Sequence, residues 1–303
     1  MALFRSHSSF LHMMLTRAFG IVLSALLLFG FGIYILLIQP TMERVADAQM
    51  NQASSEMEAS IQQLARGTET ILYTIRGVLE HNVLFAGQDG VNDVAWPAEP
   101  QQIAEFNSFF LPFIDNNSSV SSIHIARLDG TELLVMRDDR GQPFNRISHP
   151  DGNNNQVQQL TWDSQLKHST MKDVQSSYDA RTRPWFQAAS RHTEKNHINW
   201  TQPYLFYTTG EPGVTISQQF QTPDSQRYII ALDIKLQDVS HYTSQLEVST
   251  HGFAVLFDDQ MHLLSRHQLM LADNLKNGYG IPKLFDSILE SGHPAVMEST
   301  QAW

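Results

Sequence analysis

The sequence predicts an α+β chain, helical at its N-terminus and then built of antiparallel strands arranged as two modules in series. Three observations predict this. An uncharged apolar run fills Ala18–Ile38. Apolar residues then recur at three- and four-residue steps from Met42 through Ala46, Met50, Ala53, Met57, Ile61, Leu64, Ile71 and Ile75 to Val78. Beyond residue 120, short apolar runs alternate with turn residues. The first two patterns are helical and the third belongs to strands.

The first element is an expected transmembrane helix. Ala18–Ile38 is 21 residues long, and about 20 apolar residues cross a bilayer core of about 30 Å. Arg5 and Arg17 precede it, and Glu43, Arg44 and Asp47 follow. That bias places residues 1–17 in the cytoplasm and the rest across the membrane. A cleaved signal peptide is the alternative, with Ala46-Asp47-Ala48 as its cleavage site. The apolar run is long for that, and the site lies far from it. Residues 41–82 follow as one long stalk helix, without proline after Pro40. Forty residues at 1.5 Å each make a rod of roughly 60 Å. Its apolar stripe needs cover, from its own domain or from a parallel partner helix.

Phe85–Pro100 reads as loop and Gln101–Phe113 as a short helix that ends in the polar turn Asp115–Ser119. Ser122–Leu128 and Thr131–Met136 flank Asp129-Gly130, a strong hairpin signal. Asp138–Gln159 is polar, carries Gly, Pro and a run of asparagines, and is expected to be an exposed loop. Thr201–Tyr207, Val214–Phe220 and Arg227–Leu236 are expected strands, with a short helix from Asp238. A second hairpin is expected at Phe253–Phe257 and Met261–Arg266, then a helix over Ile281–Glu290. The segment Ile123–Leu134 is weakly echoed by Phe253–Leu264: an apolar strand, an acidic turn and a strand closing in Leu-Leu. Only thirteen residues follow Glu290, so the second module is expected to be incomplete and the chain a fragment of a longer protein.

Composition excludes several functions. The chain has no cysteine, so it has no disulfide, thiol catalysis or Cys-zinc site. A net charge of -11 without a basic cluster argues against nucleic acid as a partner. His192 and His197, like His262 and His267, are five apart, not the i, i+4 spacing of a helical zinc site. No metal, cofactor or catalytic residue is expected; no nucleophile elbow, Walker loop or dinucleotide fingerprint occurs. The adjacent carboxylates Asp138-Asp139 and Asp258-Asp259 read as solvated turns.

One segment carries chemistry of its own. Pro184 holds Arg183 in an extended conformation and suits the first turn of a helix, Pro184–Arg191. Arg183 is then free to face a cleft and offer bidentate bonds to a carboxylate. Trp185 can wall the same cleft and donate its indole N–H. The structural alternative pairs Arg183 with an internal acid such as Asp179 and places Trp185 in the core. Tyr204 and Phe206 are two apart and share one face of a strand. Asp233 sits among apolar neighbours, so its carboxylate must find a partner: a ligand ammonium, Arg183, a tyrosine hydroxyl or water.

Tyr178-Asp179-Ala180-Arg181-Thr182-Arg183-Pro184-Trp185-Phe186, then Trp200-Thr201-Gln202-Pro203-Tyr204, then Ala231-Leu232-Asp233-Ile234, resembles the double Cache domain of bacterial extracytoplasmic sensors. The resemblance implies two stacked PAS-like modules between two transmembrane helices: a membrane-distal module at 83–245 and a membrane-proximal one at 246–303. It implies a small-molecule ligand in the distal module, while the stalk stripe, the charge bias and the cysteine-free composition point to a homodimer in the inner membrane with the sensor periplasmic. The output domain, such as a chemoreceptor, kinase or cyclase, lies beyond this chain. In amino-acid-binding members, the residues matching Arg183 and Trp185 hold the ligand carboxylate, and those matching Tyr204 and Asp233 hold the amine. Phe186 and Phe206 also fall at ligand-binding positions. Phe186 replaces the usual tyrosine and Phe206 replaces the usual amine-binding acid or amide, which puts α-amino acids in doubt. Tyr178, Asp179 and Arg181 match the structural part of the motif. The alternatives are a membrane-anchored extracytoplasmic hydrolase and a ligand-free dimerisation module.

Overall fold

The computed structural model describes residues 3–81, 96, 99–151, 154–192, 194, 196–223, 225–244, 252–277 and 283–287. Most of the expected loop Phe85–Pro100, the boundary between the two expected modules and the stretch Ser291–Trp303 lie outside these residues. The chain divides into two units, Met1–Ser55 and Glu56–Trp303.

The first unit is helical. Helix α1 spans Leu3–Ile33, a π-helical turn occupies Tyr34–Ile38, and α2 begins at Gln39 and runs to Glu80. The segment is long and apolar enough to cross a membrane, and its large side chains are exposed, Leu28 at 72% and Leu36 at 75%. The helix does not stop where the apolar run ends, since α2 continues through Pro40. Proline in a helix clashes with the carbonyl four residues back, here that of Leu36, and the widened turn accommodates it. The Gln39 N–H donates to the Tyr34 carbonyl, a five-residue step.

The second unit is built on a nine-stranded sheet in which every pairing is antiparallel. Helix α3, Pro100–Asp115, precedes it, with a capping box between Glu99 and Gln102. The strands are β1 Ser122–Arg127, β2 Glu132–Arg137, β3 Pro143–Asp151, β4 Asn154–Trp162, β5 Ser169–Gln175, β6 Asn199–Trp200, β7 Tyr204–Leu205, β8 Pro212–Gln221 and β9 Arg227–Lys235. Their order is β5-β4-β3-β2-β1-β9-β8-β6, with β7 on β8. Helix α4, Pro184–Arg191, lies between β5 and β6 in sequence; α5, Leu236–Ser244, and α6, Gln268–Asn277, follow the sheet.

Side chains alternate across a pleated sheet. Ile123, Ile125, Leu133, Val135, Ile147, Ile216, Ile230 and Leu232 occupy one face and are buried with Leu72, Ile75 and Leu79 of α2 and Ile103, Phe106 and Phe110 of α3. The opposite face carries a smaller apolar cluster of Ala126, Val157, Tyr178, Trp185, Phe186, Ile229 and Ala231. It also carries the polar residues described below.

Four expectations are corrected. Asp138–Gln159 is no exposed loop: Pro143–Asp151 and most of Asn154–Trp162 lie within it, and β5 adds a strand that was not expected. The misleading residues are polar yet buried. Asn145 exchanges bonds of 2.8 Å with Asn107 of α3 and accepts from the Trp162 indole at 2.7 Å. The strand expected at Thr201–Tyr207 is reduced to the two residues of β7, and β6 lies just before it. The second hairpin is reduced to a bridge between Phe257 and Leu263, beside the Asp258-capped turn. The described part of Ile281–Glu290 is a turn, not a helix: the Lys283 N–H donates to Asp286 and Phe285 takes φ +71.

Candidate functional site

Helix α4 starts where expected. Pro184 occupies its first turn, and Arg183 precedes it at φ -82, ψ 144, extended as a pre-proline residue should be. The Ser217 hydroxyl donates to the Trp185 carbonyl at 2.9 Å and ties this turn to β8. Opposite, Tyr204 and Phe206 meet edge to face at 5.4 Å. Phe206 lies so close to Gly213 that a Cβ there would approach its ring within 2.1 Å, so only glycine fits.

Arg183, Trp185, Tyr204, Phe206 and Asp233 line one pocket on the polar face of the sheet. The cavity among its walls is about 20 Å³, room for about one water, and it opens to solvent. Phe186 is not on the wall. It packs edge to face on Trp185 at 5.6 Å, inside the smaller apolar cluster. A helix turns by about 100° per residue, so neighbours at its start cannot face the same way. Of the three motif residues read as structural, Asp179 and Arg181 pair with each other at 2.7 Å. Asp179 therefore does not neutralise Arg183. Tyr178 is buried and also reaches the pocket wall.

Arg183 donates to the Leu205 carbonyl at 2.8 Å and lies 5.2 Å over the Tyr204 ring. Among the described residues it forms no ion pair. Trp185 is 1% exposed.

Asp233 is differently placed. Its carboxylate accepts from Ser122 at 2.6 Å and His124 at 2.7 Å on one oxygen, and from Thr215 at 2.6 Å on the other. The Tyr204 hydroxyl meets the Thr215 hydroxyl at 2.6 Å. His124 bridges onward to Glu132 at 2.7 Å. Glu132 also accepts from Tyr178 at 2.8 Å and from Arg146 at 2.9 Å. The Arg146 guanidinium stacks 3.7 Å over the Tyr178 ring and donates to Thr208.

This chain of charges is almost fully buried and sets its own protonation. Burial by itself would push the His124 imidazole down, but the Asp233 and then the Glu132 carboxylate outweigh it and lift it to about 9. Burial likewise opposes ionised Glu132, yet Arg146, His124 and Tyr178 hold it down at about 2. Asp233 is held below the usual carboxylate range against its burial, chiefly by His124. Burial, reinforced by Asp233, raises Tyr204, so its hydroxyl stays protonated. At neutral pH the set is therefore His124⁺, Arg146⁺, Glu132⁻ and Asp233⁻, with no net charge. Lys235, also on the wall, pairs with Glu211 at 2.7 Å. Arg183 adds one uncompensated positive charge.

Sequence reasoning missed His124, Glu132 and Arg146. The signal was position in the pleat. Ser122, His124, Glu132, Arg146, Thr215 and Asp233 all fall on the same face of adjacent strands, as the register shows: Ser122 opposite Asp233, and Thr215 opposite Asp233. Among the described residues, no group of three His, Asp or Glu side chains could hold a metal ion.

Parts of the chain are similar to known proteins. Residues 144–241 match the family model of the methyl-accepting chemotaxis protein-like, first PDC sensor domain. Adenylate cyclase 1 of Rhizobium meliloti is 28% identical over 152 residues, 49% of this chain and 20% of the relative. The methyl-accepting chemotaxis protein McpC of Bacillus subtilis is 29% identical over 93 residues, 31% of this chain and 14% of the relative. The matches thus span a fifth or less of these curated relatives. The sensory domain of the Campylobacter jejuni chemoreceptor Tlp3, solved with isoleucine bound, shares 11% identity at a TM-score of 0.47, over 74% of this chain and 71% of that one. Over residues 144–241 the chain is thus similar to the first PDC sensor domain of methyl-accepting chemotaxis-like proteins.

Proposed function

We propose that this chain is the sensing region of a membrane-anchored receptor and that its sheet pocket binds a small ligand through a carboxylate held by Arg183. The observation that carries this reading is Arg183 itself. It is a half-buried cation on the pocket wall, beside buried Trp185, with no acid paired to it among the described residues. A guanidinium in that setting is matched in geometry and charge by a carboxylate. Trp185 and Phe206 supply apolar wall, and Tyr204 a protonated hydroxyl.

In this reading the apolar helix spans the inner membrane and the sheet lies outside the cytoplasm. Residues 83–245 are the distal module and the stretch from 246 begins a proximal one. Two chains pair along the stalk helix, and the signal passes to a cytoplasmic output domain outside this chain. Support for an output domain comes from the relatives, a cyclase and a chemotaxis protein, each far longer than the matched segment. A ligand signals only if it binds two arrangements of the receptor unequally.

The test is a melting-shift screen of the full chain in lipid nanodiscs against a panel of small metabolites. The expected result is stabilisation by one or more carboxylates, abolished by Arg183→Ala. No shift across the panel, or a shift that Arg183→Ala leaves intact, overturns the reading.

A further inference from the structure

Asp233 is the one carboxylate among the described residues of the pocket wall, and a histidine already occupies it. His124 and Asp233 are 2.7 Å apart, with side chains only 6% exposed each. They form one link of a buried chain that Arg146 and Glu132 complete on the far side, at 2.9 Å. Ser122 and Thr215 take further lone pairs of Asp233. A carboxylate offers about four such sites, so three of them are filled.

We infer that the pocket selects against ammonium, so that its ligands are carboxylates bearing a neutral group, such as hydroxyl or hydrogen, in place of an α-amine. This deepens the proposed function and rests on its reading of Arg183. The argument is one of charge. The buried set formed by His124, Arg146, Glu132 and Asp233 sums to zero without a ligand. An ammonium brought to Asp233 meets the imidazolium behind it and adds an unbalanced positive charge to a dry site. Phe206, 6% exposed, offers that ammonium no acceptor. A hydroxyl carries no such penalty, because it brings no charge and can donate to a remaining lone pair of the Tyr204 or Thr215 oxygen. The carboxylate end differs: Arg183 is the net positive charge that it neutralises.

The test uses isosteric pairs on the full chain in nanodiscs, by isothermal titration: L-lactate against L-alanine, L-2-hydroxyisovalerate against L-valine, and L-malate against L-aspartate. The members of each pair share carboxylate and skeleton and differ in hydroxyl against ammonium. The expected result is at least tenfold tighter binding of the hydroxy acid in every pair that binds, lost with Arg183→Ala. An amino acid that binds as tightly or more tightly, still dependent on Arg183, overturns the selectivity and leaves the carboxylate reading standing. No binding of either member of any pair, or binding that Arg183→Ala does not touch, overturns both. His124→Gln adds a second arm, since a neutral amide can still donate to Asp233. In that variant the preference should narrow by at least tenfold through gained amino-acid affinity. An unchanged ratio in a cooperatively melting variant removes His124 from the argument. If the variant does not melt cooperatively, the wild-type pairs decide alone.

Discussion

The same strands bury their two faces by different physics. On the helix-covered face, Ile123, Ile125, Leu133 and Val135 pack against α2 and α3 and are held by apolar area. On the pocket face, His124 and Glu132 come from the same two strands, one residue away, and are held by charge pairing across β1, β2, β3 and β9. The first face tolerates loss in proportion to the atoms removed. The second is all or nothing, because deleting one member leaves its partners charged in a dry site.

Two substitutions one residue apart separate these regimes. Leu133→Ala should cost about 2–5 kcal/mol, as large-to-small core changes do. Glu132→Ala should cost about 3–5 kcal/mol although it removes no apolar contact, because His124 and Arg146 lose their shared acid. The comparison breaks if Glu132→Ala melts like the wild type. It sharpens if Glu132→Gln recovers little, since the amide keeps the shape and loses the charge.

Above neutrality the pH dependence should come from the pocket face. His124 is lifted from 6.5 to about 9 on folding. Its contribution, on the order of 3 kcal/mol, is present in full below about pH 6.5 and is lost as pH rises towards 9. Glu132 acts in the opposite sense: held at about 2, it stabilises above its ordinary 4.5 and loses that as pH falls. Melting of the sheet unit should therefore decline from pH 6.5 to 9, and His124→Gln should flatten that limb. An unaltered slope in the variant would place the titration elsewhere.

These two faces also explain what the sequence made legible. The apolar face announced itself: β1, β2, β8 and β9, helix α4 and the Asp129-Gly130 turn all follow from apolar runs and turn residues. Arg183, Trp185, Tyr204, Phe206 and Asp233 were legible as candidates through Pro184, the strand spacing and the family pattern, and they share one pocket. The polar face was not legible. A strand such as Phe144-Asn145-Arg146-Ile147-Ser148 looks like loop until its partners are known. Arg146 needs Glu132 from β2, and Asn145 needs Asn107 from α3. Phe186 failed for a local reason, since helical geometry turned it behind Trp185. At the C-terminal end, the Asp286 cap on Lys283 overrode an apolar pattern that resembled a helix.

The smallest expected change in stability is at Arg183. It is half-buried, and among the described residues its guanidinium hydrogen-bonds only to the Leu205 carbonyl beside the Tyr204 ring, so Arg183→Ala should alter folding by about 0.5 kcal/mol or less while removing ligand binding. A large loss of stability would make Arg183 a structural residue like Arg146 and close the contrast between the two arginines.

The most direct test of the central claim compares a binding acid with its own methyl ester. The ester keeps the skeleton and both oxygens but removes the negative charge that Arg183 is proposed to meet. Titrated into the full chain in nanodiscs, the acid should bind and the ester should bind at least tenfold more weakly, with Arg183→Ala reducing the acid to the ester's level. Equal affinity for acid and ester in the wild type would contradict the account.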